Sequence, residues 1–146
     1  MRTIAQALRP LLLAAALLGM TGNTWAGHDS GGGGDAGTVA LEMITTNLAP
    51  DPAQDRNLIQ VGIQLKLDDP KEGELVKAYM PKIRSEILLT LCSHTASSLS
   101  TGESRLALIE ELKDTVNSVV GSGKKDKHGK INGPVSDVLF TYFLIP

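Results

Sequence analysis

The chain has 146 residues, room for one domain and a leader, with 42% apolar and 21% charged side chains, ordinary usage for a globular protein. Aromatics are only 3%, so the core has to be mainly aliphatic. Of the 14 Lys and Arg, Arg2 and Arg9 lie in the leader, leaving 12 against 16 Asp and Glu, a balance of −4 that argues against nucleic acid as a partner, because phosphate binding needs clustered cations.

The leader contains "LRPLLLAAALLGMTGNTWAG", residues 8–27. Its unbroken apolar part, residues 11–20, would reach about 15 Å as a helix against a hydrocarbon core of about 30 Å. Pro10 and Arg9 block its extension toward the N-terminus, so residues 10–27 make a marginal membrane anchor. The same residues fit a secretory signal: basic start, short apolar run, and Thr24 and Ala26 placed for cleavage before Gly27. Trp25 suits an interfacial anchor better. Residues 1–26 are therefore a signal peptide or an anchor. In both cases positive charge precedes the apolar run and none follows before Arg56, so the remainder is expected across the membrane.

Residues 27–37, "GHDSGGGGDAG", read as a flexible tether, and 38–146 as the domain. A first strand is expected over 38–46, with Val39, Leu41 and Met43 on one face and Glu42 on the other. "APDPAQDRN" interrupts it. "LIQVGIQLKLD" then has the clearest period of two: Ile59, Val61, Ile63, Leu65 and Leu67 point inward, Gln60, Gln64, Lys66 and Asp68 outward.

Pro70 and Gly73 bracket a turn, after which Val76, Tyr79, Met80, Ile83, Ile87 and Leu91 recur at helical spacing. Pro81 either kinks this helix or stands near the start of its longer second part. Cys92, the only cysteine, falls in this apolar stretch and reads as a buried small hydrophobe that can form no intrachain disulfide. A second helix follows, with Ser100 and Glu103 at capping-box spacing and Thr101 as the competing cap. Its inward stripe is Ile109, Leu112, Val116 and Val119; Glu110, Glu111, Lys113 and Asp114 form the wet side.

Residues 121–134 form a glycine-punctuated loop, with four lysines and His128 over 124–130, that suits either a solvated surface or contact with an anionic envelope component. "VSDVLFTYFLI" closes the chain with apolar residues on both faces, which predicts an interior, covered strand. The order strand, strand, helix, helix, strand is a small α+β domain with helices packed on one sheet.

The catalytic inventory is empty. His28, His94 and His128 sit in the tether, the inter-helix turn and the basic loop, without ligand or triad spacing. GxSxG, HExxH, CxxC and a phosphate-cradling loop do not occur. Asp68–Asp69 and Glu110–Glu111 are adjacent pairs whose side chains diverge, so neither is a catalytic dyad. No catalytic, cofactor or metal residue is expected.

Taken in order, "DRNLIQVGIQLKLDD", "MPKIRSEILLTLCSHTASSLSTGESRLALIEELKDTVNSVV" and "VSDVLFTYFLIP" resemble the FliL family, the flagellar basal body-associated proteins, over residues 55–146. Asn57 stands where that family has an aromatic, and Pro146 where it often ends on a polar residue. The resemblance implies a periplasmic domain of the stomatin-like type at the inner membrane, assembly as a ring around the flagellar stator, and support of motility and chemotaxis-directed movement without catalysis or cofactors. The other reading is a soluble periplasmic binding module of the same fold, released after leader cleavage.

Overall fold

The computed structural model describes residues 37–55, 57–121 and 124–146. The leader, most of the tether with His28, and Arg56 lie outside the described residues, so the alternatives for the leader rest on sequence. Among the described residues, no helix is long and apolar enough to cross a membrane.

Seven elements follow in chain order: β1 (Thr38–Ala40), β2 (Ile44–Asn47), β3 (Leu58–Leu67), α1 (Gly73–Ala78), α2 (Met80–Cys92), α3 (Gly102–Val120) and β4 (Val135–Leu144), with 3₁₀ turns at Pro70–Glu72 and Ser97–Leu99. The α+β class read from sequence is what the chain adopts.

β3 is the spine. It pairs antiparallel with β4 along nearly its whole length, and with β1 and β2 at its two ends. A strand has only two edges, so β1 and β2 share the edge opposite β4. The sheet is three strands wide, and its period-two phase is the one expected: Ile59, Val61, Ile63, Leu65 and Leu67 are all buried. They pack with Val76, Ile83, Ile87, Leu91, Leu108, Leu112 and Val116 in one aliphatic core, so the helices cover a single face.

Other expectations need correction. The first strand is broken. The Arg84 guanidinium donates to the Glu42 and Met43 carbonyls at 3.3 and 3.2 Å, which takes residues 42–43 out of the ladder. Val39 and Leu41 are buried as expected, but past the break Ile44 goes inward at 1% exposure and Met43 stands 51% exposed. Tyr79 is the junction between α1 and α2 and is exposed, with Pro81 in the first turn of α2, where its missing N–H costs nothing. Cys92 is exposed. One residue beyond the buried Leu91, the helix has turned by about 100° and carries the thiol outward.

The cap of α3 is Thr101, not Ser100: its hydroxyl accepts from Ser104 N–H at 3.1 Å, and Ser104 Oγ completes the box. Ser100 donates instead to Ser97 C=O within the preceding turn. The inward stripe of α3 is Leu108, Leu112, Val116 and Asn117, with Ile109 and Val119 partly buried beside it.

β4 departs furthest from expectation. Among the described residues it pairs with β3 alone, which makes it an edge strand rather than an interior one. Val138, Phe140, Phe143 and Ile145 pack on the core, whereas Leu139, Tyr142 and Leu144 are 40 to 43% exposed on the open face of the sheet. A bulge opposite Gly62 and Ile63 lets the strand keep both sets. At Gly62 a Cβ would lie 2.5 Å from Thr141 Oγ1, so a larger residue there would need the Thr141 side chain to turn aside.

Candidate functional site

Several of the polar side chains gather on α3, where they tie a loop or turn to that helix. At its middle, Lys130 Nζ donates to Glu110 Oε2 at 2.7 Å and Lys113 donates to the same carboxylate. Lys130 first and Lys113 second hold the Glu110 carboxyl below its ordinary value; Glu110 in turn raises Lys130. The loop is shaped by Asp126, whose Oδ1 accepts from the His128 and Lys130 N–H groups at 2.7 and 3.0 Å. Ile131 N–H reaches Asp114 Oδ1 at 3.3 Å. The side of α3 expected to be wet is thus partly roofed by the lysine loop, and one of its four lysines serves structure. Lys124, Lys125 and Lys127 remain exposed.

His94 Nε2 lies 2.9 Å from Glu111 Oε2, linking the turn after α2 to α3. The adjacent carboxylates Glu110 and Glu111 therefore turn to different partners, as their spacing predicts. Asp69 caps the first 3₁₀ turn through Lys71 N–H at 2.9 Å. Asp51 binds the second turn: the Ser97 hydroxyl, the Ala53 N–H and the Ser97 N–H all lower its pKa. Cys92 Sγ is 3.4 Å from Thr46 Oγ1 and has no histidine partner, since His94 is engaged by Glu111. Among the described residues no group of three or more His, Cys, Asp or Glu could hold a metal ion.

The polar residue that pattern reading missed is Asn117. It is 3% exposed, and its amide does the work of a strand: Nδ2 donates to Val135 C=O at 2.9 Å and Oδ1 accepts Val135 N–H at 3.0 Å. Gly133 packs so closely that a Cβ would lie 2.4 Å from Asn117 Oδ1, and at Gly121 one would lie 2.4 Å from the Asn132 carbonyl. An asparagine inside an apolar stripe, followed by two glycines at the loop ends, is the signal that would have found it. This lock fixes where β4 starts relative to α3.

Among the described residues this arrangement joins loops, turns and strands to the helices. It presents surfaces: an open sheet face with an apolar ridge on β4, a lysine-bearing loop, and a helix pair. Over residues 38–145, which span every element of the fold, the chain matches the family described as flagellar basal body-associated protein FliL. The chain belongs to the FliL family. It is 34% identical over 108 residues to the flagellar protein FliL of Escherichia coli (strain K12), covering 73% of this chain and 62% of that protein. The Shigella flexneri protein of the same name matches to the same extent, and that of Bacillus subtilis (strain 168) is 29% identical over 92 residues, 63% of this chain and 62% of its own. The chain therefore aligns with about three fifths of the length of the FliL proteins it resembles. The family is described as associated with the flagellar basal body.

Proposed function

We propose that the chain is a non-enzymatic accessory of the flagellar motor, standing on the periplasmic side of the inner membrane and supporting torque and directed movement through contact with stator or basal-body proteins. The observation that carries this reading is the family match across the whole folded domain. The aliphatic core and the extended sheet face agree with a protein that works by contact. Residues 1–26 deliver the domain across the membrane, and residues 27–37 give it reach from that membrane if the leader is retained. Assembly as a ring of stomatin-like domains belongs to the same reading.

Deleting the gene tests it. Loss of swimming or swarming, restored by the intact gene, is the expected result; unchanged movement in liquid, in soft agar and on surfaces overturns it. The N-terminal sequence of the protein from separated cell fractions then decides anchored against free: a start at Gly27 in the osmotic-shock fraction means a released domain.

A further inference from the structure

The outer edge of β4 is closed over one half and open over the other. At the closed end the Asn117 amide occupies both backbone groups of Val135, and Asp137 Oδ1 accepts the Val138 N–H at 2.8 Å. Both devices use up edge groups without a second strand, which is how soluble proteins keep edges from pairing. From 139 to 145 the described residues show no such device. β4 pairs there with β3 alone, and residues 138–145 hold no charge, proline or glycine. An exposed edge of that composition is built for strand addition.

Helix α3 borders this open half. Arg105 lies over the Phe143 ring, 4.8 Å from its centroid, so the first turns of α3 run beneath it. Leu106 is 65% exposed. Glu111 and Thr115 face α2 through His94 and Thr90, which puts Leu106 roughly 200° around the helix, on the opposite flank. Leu106 and Asn117 are eleven residues apart, about three turns, and so share one row of the helix. Asn117 reaches the edge of β4 at its closed end; Leu106 stands in the same row beside the open end.

Arg105 touches this half through the Phe143 ring; its Nε donates to the Leu99 carbonyl at 3.1 Å, and none of the ion pairs among the described residues uses its charge. Pairing two copies through their open halves would offer it no carboxylate, because residues 138–145 contain none. We propose that residues 139–145 of β4 and the Leu106 flank of α3 form a strand-addition groove for an extended, uncharged segment of a partner protein that carries one carboxylate at the end meeting Arg105. The backbone ladder supplies affinity, Leu106 packs on the inward-facing side chains of the added strand, and Arg105 sets its register. The groove does not depend on the motor reading; a strain that moves normally without the gene leaves it standing.

The test places a photo-crosslinking amino acid at Leu106, at Leu139 on the open sheet face, or at Leu89 on α2, each in the full chain in living cells. The expected result is a light-dependent adduct from Leu106 alone, mapping to an uncharged segment with an acidic residue at one end. A synthetic peptide of that segment then slows amide hydrogen exchange at residues 139–145 of the purified chain by about tenfold or more. Leu106→Asp, on an exposed position, abolishes the slowing at an unchanged melting temperature. An adduct to a second copy, adducts from Leu139 or Leu89 in place of Leu106, no adduct at all, or a peptide that leaves exchange unchanged each overturns the proposal.

Discussion

β3 and β4 are ten-residue strands lying side by side, and they invert what their compositions suggest. β3 alternates apolar and polar, which reads as a strand with one wet face; β4 is apolar on both faces, which reads as the covered centre. In the fold β3 is the centre and β4 the edge. The pattern of a strand reports what its two faces meet, whereas position in a sheet concerns its two edges, and side chains do not point along edges. β3 is central because both of its edges are paired, while its outward Gln60, Gln64 and Lys66 still face solvent. β4 keeps apolar residues on its open face although it lies at the rim.

The sharpest test of this contrast is a charge on the inward face of β3. Ile63 is 1% exposed and pairs with Phe140. Ile63→Asp is expected to cost more than about 4 kcal/mol and abolish folding, since it buries an unpaired carboxylate. Gln64→Asp, one residue on and facing out, leaves circular dichroism and cooperative unfolding intact. Equal damage from both would refute the strand phase.

Asn117→Ala comes next, at about 3 kcal/mol by urea unfolding, because it strands the buried N–H and C=O of Val135. A loss confined to a few tenths of a kcal/mol would mean that β4 needs no lock. Within β4 the two faces separate: Val138→Ala on the core side costs about 2 kcal/mol, whereas Leu139→Ser on the open side changes stability by no more than about 0.5 kcal/mol. Similar costs for both would show β4 to be covered after all. Thr101→Ala is expected to lower stability by about 1 kcal/mol through the lost cap, and Ser100→Ala by much less.

The smallest effect belongs to the loop that precedes β4. Glu110 has a folded pKa below its ordinary 4.5, so its contribution is present above that value and is lost as pH falls through the lowered one. Lys130 has a folded pKa above its ordinary 10.5, so its contribution is full below that value and is lost as pH rises through the raised one. Glu110→Gln should therefore lower stability slightly at neutral pH and leave it unchanged well below pH 4.5, which flattens the acid limb; the effect is small because the pair is half exposed and screened. An unaltered acid limb would assign the limb to Asp51 and other carboxylates.

Local signals were legible wherever one interaction dominated. The phase of β3, the break at Pro81, the divergence of Glu110 from Glu111 and the stripe through Leu112 and Val116 follow from spacing alone. The expected cap failed because Ser100 and Thr101 are both competent, and the choice went to the residue not already held by the Ser97 turn. Met43 and Cys92 failed because apolar neighbours do not fix a residue's own direction: Arg84 turned out the segment holding the first, and one step of helical rotation turned out the second.

By itself, then, the amino-acid order determined the class of the fold, the inward face of β3, the Ile83, Ile87 and Leu91 stripe of α2 and the family, since these depend on periodicity and on the succession of elements. Tertiary structure alone decided that β4 is an edge, that Asn117 serves as its partial partner, and that Arg105 and Leu106 stand beside its open half. Those are contacts between residues far apart in the chain, set by how the helices lie on the sheet, and no local spacing encodes them.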